Sequence, residues 1–150
     1  MSHFPKTQPS NERGNGMDTN GFKKLKVWEK AHTLVLEVYR VTKSFPEEEK
    51  FCLTAQVRRS AVSICANIVE GYRKTKKEFA RYLDIAQGSL EETKYHLLLA
   101  HDLGYCDAKT ANRYFLLCDE IGRMLFGLRK KSLSLLIENL ALTCNLLLTP

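Results

Sequence analysis

An all-α chain, folded as an antiparallel up-down-up-down four-helix bundle, is what three features of this 150-residue sequence predict. Apolar residues recur at steps of three and four along four long stretches. No stretch alternates as a half-buried strand would, and the breaks between stretches are short runs rich in Pro, Gly and capping residues. Long amphipathic helices joined by short loops pack antiparallel, each burying its apolar stripe against its neighbours.

Residues 1–21 are rich in Asn, Gly, Ser and Pro. They carry too little apolar surface to offset the entropy of ordering, so a flexible tail is expected there, with Met17 an alternative start. The bundle is expected over residues 22–131. Helix one runs from Leu25 to about Ser44, with Trp28, Ala31, Val35, Val38 and Thr42 on its apolar row and Val27, Leu34 and Val41 on a flanking row. Pro46 then breaks the chain, and Glu47, Glu48 and Glu49 suit the positive end of a new helix dipole, so helix two is expected from Glu47 to about Tyr72. Gly71 near its end suggests a left-handed cap.

Thr75 to Glu78 has the pattern of a capping box and opens helix three, whose core face is Phe79, Leu83, Ala86, Leu90, Leu97 and Ala100, to about Leu103. Gly104 caps that helix and Asp107 starts the fourth, where Ala111, Tyr114, Phe115, Cys118, Ile121, Leu125 and Leu128 form the stripe before Arg129, Lys130 and Lys131. Residues 132–150 are an apolar extension. Its stretch "LSLLIENLALTCNLLL" contains Glu138 and two Asn and is too short and polar for a membrane span, so no membrane partner is expected. A fifth helix covering exposed bundle surface is the expectation, and a contact for another subunit or partner is the sharper alternative.

The formal charge of +6 favours acidic partners. Five cysteines without a CxxC pair, and the absence of an apolar leader, suit reduced thiols in a cytoplasmic setting. The histidines lack metal-ligand spacing, and none of the phosphate-loop, dinucleotide, serine-hydrolase or zinc-protease motifs occurs. No enzyme activity, metal or cofactor is expected.

Helix two poses a question of its own. Gln56, Ser60, Ser63, Asn67 and Glu70 form a stripe of short polar side chains within roughly 80° of the wheel. Arg58 projects into the opposite, apolar arc, and Arg59 edges the stripe. A charge in an apolar arc needs a partner, so Arg58 is expected to pair with Glu92 of helix three and Arg59 with Glu70. A carboxylate beside arginine stays ionised and shuttles protons poorly, which favours a structural network over acid–base catalysis. Small residues at Ser60, Ser63, Ala66 and Asn67 would let another backbone approach, and a subunit interface is expected to use them.

The basic residues form three groups: Lys23, Lys24 and Lys26; Arg73, Lys74, Lys76, Lys77 and Arg81; and Arg129, Lys130 and Lys131. In the expected topology all three meet at one end of the bundle, a footprint for phosphate. Only Tyr72 and Phe79 interleave with them, so charge and shape are favoured over base stacking.

The segments "FKKLKVWEKAHTLVLEVYRVTKSFP" and "QVRRSAVSICANIVEGYRKTKKEFARYLDIAQGSLEE" resemble the four-helix-bundle proteins encoded by intervening sequences within bacterial 23S ribosomal RNA genes, over about residues 22–131. The resemblance implies a homopentamer with an RNA-related role. It also implies kinship with the accessory variability determinant of diversity-generating retroelements, which would make a reverse transcriptase the alternative partner. The family's architectural pattern falls on Gln56, Arg58, Arg59, Ser63, Asn67, Glu70, Gly71, Gly88, Ser89 and Glu92, and no catalytic residue comes with it. The chain departs from the pattern at Cys65 and beyond Ser132.

Overall fold

The computed structural model describes residues 20–147, with side chains from 20 to 143. The tail expected at residues 1–21 lies outside the described residues except for Asn20 and Gly21. Gly21 opens a 3-10 turn, Gly21–Lys24, and is buried. A β-carbon there would lie 2.7 Å from the Tyr72 hydroxyl, so the chain is already packed against the second helix at that point.

Four helices follow: α1 Lys26–Val41, α2 Leu53–Gly71, α3 Lys76–Asp102 and α4 Ala108–Leu147. No strand occurs among the described residues. α1 packs on α2 and α4, and α3 on α2 and α4, which closes a square bundle. The core is built from single stripes: Val27, Ala31, Leu34 and Val38 of α1; Val57, Ala61, Ile64 and Ile68 of α2; Leu83, Ala86, Leu90 and Leu97 of α3; Tyr114, Cys118, Ile121 and Leu125 of α4. In α1 the buried stripe draws Ala31 and Val38 from the expected apolar row and Val27 and Leu34 from the flanking one, while Trp28, Val35 and Val41 are only partly buried. Both rows fit helical spacing, and only the position of the neighbouring helices selects between them.

Helix two begins later than expected. Glu47–Glu49 form a 3-10 turn, and Cys52 at φ −108°, ψ −111° interrupts the helical backbone before Leu53. The acidic run still serves the helix start, because a Glu49 carboxylate oxygen accepts the Leu53 N–H at 3.1 Å. Its other oxygen accepts the Tyr105 hydroxyl at 2.9 Å, tying this loop to the one between α3 and α4.

The capping signals act locally. The Thr75 hydroxyl accepts the Glu78 N–H at 3.3 Å, and the Glu78 carboxylate accepts the Thr75 N–H at 3.1 Å. Asp107 accepts the Thr110 N–H at 2.7 Å at the head of α4. Gly104 has φ +77°, the left-handed conformation that closes α3. Gly71 has no such φ. It is helical, and a β-carbon there would meet the Tyr82 β-carbon at 2.6 Å, so it is glycine because α3 passes too close for a side chain.

The largest departure is at the C-terminal end. α4 does not stop at Lys131 but continues unbroken to Leu147, so there is no separate fifth helix folded over the bundle. Nothing at 129–134 breaks a helix: no Gly, no Pro, and Ser132 is buried.

Candidate nucleic-acid interface

Two arrangements grow from the α2–α3 pair, and the first is a polar seam. The Ser63 and Ser89 hydroxyl oxygens are 2.8 Å apart across the two helices. Thr93 Oγ1 lies 2.9 Å from Ser60 Oγ and 2.8 Å from the Ser89 carbonyl, and Ser60 Oγ is 3.5 Å from His96 Nδ1. Asn67 donates to the Ser63 carbonyl at 2.8 Å and to its hydroxyl at 3.1 Å. Thr93 is wholly buried, so its hydroxyl must find partners inside the protein, and the short side chains opposite provide them.

This arrangement corrects the reading of the small-residue stripe as a subunit interface. Ser60 and Ser63 are engaged by Thr93 and Ser89 of α3 in the same chain, and Asn67 by Ser63 of α2 itself, so α3 fills the place a neighbour would take at the two serines. Ala66 remains exposed, as do Gln56 and Arg59, at the outer edge of the seam.

The expected ion pairs are also replaced. Among the described residues no ion pair joins Arg58 to Glu92 or Arg59 to Glu70. Arg58 turns toward α1: its Nε donates to the Thr42 hydroxyl at 2.7 Å and its guanidinium stacks on the Tyr39 ring at 4.8 Å. Glu70 accepts the Tyr82 hydroxyl at 2.8 Å, and that hydrogen bond raises the Tyr82 pKa. Glu92 is exposed. Arg58 lies on the α1 side of α2 and α3 on the other, so Glu92 is out of its reach.

The second arrangement is the basic end. The starts of α1 and α3, the end of α2 and the Arg129 to Lys131 stretch of α4 lie together. Lys77, Arg81 and Arg129 line one groove of about 480 Å³ with Asp84, Glu78 and Leu133. On the opposite flank of α4, Lys26 and Lys131 line a second groove of about 360 Å³ floored by Leu25, Val27, Met124 and Leu128. Gly21 lies against Tyr72, which joins the turn carrying Lys23 and Lys24 to the end of α2 that precedes Arg73 and Lys74. Apart from Arg129, which is half-buried and forms an ion pair with Asp84 at 3.2 Å, all these cations are exposed. An exposed cationic surface with shallow grooves suits an extended anion such as a phosphate backbone.

No group of three metal-ligating side chains occurs among the described residues. Burial pushes the Cys65 and Cys118 thiols up to about 12, which makes them poor nucleophiles. Among the described residues no helix is long and apolar enough to cross a membrane. Thr42, Tyr82 and Thr93 were not anticipated as network members, although the signal was present. Thr42 was placed on an apolar row, where its hydroxyl requires a partner.

Comparison with known proteins bears on this geometry. A family model described as 23S rRNA-intervening sequence protein matches residues 23–127. No curated protein matches the chain. Among solved structures, a protein of unknown function from the S23 ribosomal protein family of Bacteroides thetaiotaomicron VPI-5482 is similar at 26% identity and a TM-score of 0.64, covering 69% of this chain and 98% of its own.

Proposed function

From the premise that this chain belongs to the 23S rRNA-intervening sequence protein family, we propose that it is a non-enzymatic, homo-oligomeric protein that binds structured RNA through charge and shape. The observation that carries the reading is the meeting of three basic segments at one end of the bundle, with grooves on both flanks of α4 lined by cations from different helices. Each segment alone would be an ordinary solvated helix terminus. Together they form a continuous field on the scale of a nucleic-acid backbone.

Self-association is supported by the outer side of the same α2–α3 pair, where Val62 and Ile85 are exposed at 41% and 45% and Gly88 leaves open space. A ring of such subunits, a pentamer in this reading, would repeat the basic end around one axis without new sequence. A cytoplasmic setting belongs to the same reading. No contact on the described residues favours the retroelement role over this one.

The test is a salt titration of binding to a structured RNA by fluorescence anisotropy. Affinity should fall steeply between 50 and 200 mM salt, and changing Lys74, Lys76 and Lys77 together to Glu should weaken binding to all sequences alike and lower the salt slope by about three. Undiminished RNA binding in the folded triple variant overturns the proposal. A monomeric mass at micromolar concentration overturns the oligomer.

A further inference from the structure

The corner where α1 gives way to α2 holds a polar pocket of about 200 Å³, lined by Thr42, Lys43, Glu47, Lys50, Thr54 and Arg58. It lies at the far end of α1 from the basic end, about 24 Å away at 1.5 Å per residue. Neither Lys43 nor Lys50 belongs to the three basic groups.

Thr54 is only 6% exposed, yet its hydroxyl makes no hydrogen bond among the described residues. The hydroxyl is not sealed inside the protein either, because the enclosed side-chain polar atom that lacks a partner among those residues is Gln87 Oε1. It therefore opens onto the pocket that Thr54 lines. Buried hydroxyls are ordinarily satisfied, as those of Thr42 and Thr93 are, so one left open to a cavity points to a bound partner. Thr54 also stands in the first turn of α2, whose N-cap residue Cys52 supplies no side-chain hydrogen bond. The positive end of a helix favours an anion there.

The charges around the pocket agree. Arg58 gives its Nε to Thr42 and lays its guanidinium on Tyr39, which fixes it, while its two terminal nitrogens have no partner among the described residues. Lys43 is exposed and forms no ion pair among them. Lys50 pairs at 3.2 Å with Glu47, the carboxylate on the wall, in a contact open to solvent. Glu49 is turned to the Leu53 N–H and the Tyr105 hydroxyl. Three cations against one carboxylate leave a net charge of +2 around the pocket.

We propose that this corner binds a terminal phosphate group, with the Arg58 terminal nitrogens, the Thr54 hydroxyl and the Lys43 ammonium as its donors. A phosphate monoester presents three terminal oxygens and close to two negative charges at neutral pH, which matches three donor groups and the net charge. A carboxylate or an internal phosphodiester has two such oxygens and one charge. The volume falls below the range of about 300–1,000 Å³ usual for drug-sized ligands, which suits a small anion.

A titration of the full chain at constant ionic strength tests this, followed by nuclear magnetic resonance shifts of the Thr54 amide and the Arg58 Nε–H. Inorganic phosphate and methyl phosphate should each give saturating shifts, and dimethyl phosphate should bind about tenfold more weakly or worse. Either order of affinity for the first two supports the site, and the tighter one tells whether the free ion or a monoester is the natural form. Thr54→Val with Lys43→Ala should weaken phosphate binding about tenfold or more without lowering urea stability, because neither side chain has a partner to lose. If that pair unfolds, Lys43→Ala alone, at an exposed position, should still weaken it about threefold. Absence of saturating shifts, undiminished affinity in the folded variants, or equal binding of dimethyl phosphate overturns the proposal. The site does not rest on the RNA reading: its shifts should persist when Lys74, Lys76 and Lys77 are changed to Glu, and their loss in that folded variant also overturns it.

Discussion

Arg58 and Thr42 hold α2 to the end of α1: the guanidinium Nε donates to the threonine hydroxyl at 2.7 Å while the same hydroxyl donates to the Val38 carbonyl at 2.8 Å. The arginine lies over the Tyr39 ring, so a single half-buried cation satisfies a buried hydroxyl and covers an aromatic face. A charge-assisted hydrogen bond contributes about 1.5–3 kcal/mol and a partly exposed cation–π contact about 0.5–1 kcal/mol. Arg58→Ala should therefore lower unfolding stability by about 2 kcal/mol in urea. Arg58→Lys should recover less than half of that loss, because a lysine ammonium neither stacks flat nor donates from the same position. A lysine variant as stable as the wild type would show that charge alone matters at this position.

The seam between α2 and α3 makes a different prediction, about coupling. Removing one hydroxyl of the Ser63–Ser89 pair leaves its partner under-satisfied, whereas removing both leaves none. Ser63→Ala and Ser89→Ala should each cost about 1 kcal/mol, and the double variant should cost less than their sum by about 0.5 kcal/mol or more. Asn67 complicates only the Ser63 arm, since its amide also donates to the Ser63 carbonyl, which the alanine keeps. Strict additivity of the three urea midpoints would mean that the two hydroxyls do not act as a pair.

Much of this was legible in the sequence, and the misreadings share a cause. Helical spacing located all four helices, the capping box at Thr75 and Glu78, the Gly104 turn and the buried faces of α2, α3 and α4. What a helical wheel gives is an angle, not the neighbour found at that angle. Arg58 in an apolar arc does need a partner, but the partner is the Thr42 hydroxyl on the opposite side of α2 rather than the charge of Glu92. The small polar stripe was seen to admit a close neighbour, and that neighbour is α3 itself. The persistence of α4 beyond Lys131 is not legible from the sequence because a basic triplet usually closes a helix, whereas here it marks only where the rest of the bundle ends.

Buried thiols give the protein a pH dependence of definite sign. Cys118 is 1% exposed, and burial raises its pKa from 9.0 to about 12. A folded-state pKa above the unfolded one means stability is fully present below about pH 9 and is lost as pH rises toward 12, because the unfolded chain gives up this proton first. The slope is up to about 1.4 kcal/mol per pH unit for one thiol. Between pH 8 and pH 10 the wild type should lose more urea stability than Cys118→Ala, although the alanine variant starts lower because of its cavity. Parallel losses would remove Cys118 as the source. At pH 8 a thiol reagent should modify the exposed Cys52 quickly and Cys118 only after unfolding.

Asp84 sits within the proposed RNA surface, 3.2 Å from Arg129 and on the wall of the groove that Lys77 and Arg81 also line. Its side chain is 61% exposed, so the ion pair contributes little to folding, and Asp84→Asn should cost under about 1 kcal/mol. Its effect on a bound phosphate is larger in relative terms. A carboxylate about 6 Å from a phosphate in a water-like dielectric repels it by roughly 0.7 kcal/mol, and it also holds the nearest guanidinium in place. Removing that charge should raise RNA affinity about threefold at low salt and release Arg129 to make a further phosphate contact, steepening the salt slope by up to about one. The gain should shrink as ionic strength rises, since the repulsion is screened. Affinity that is unchanged or weaker in Asp84→Asn, with the triple lysine variant still defective, would move the RNA path off the α3–α4 groove and toward the flank lined by Lys26 and Lys131.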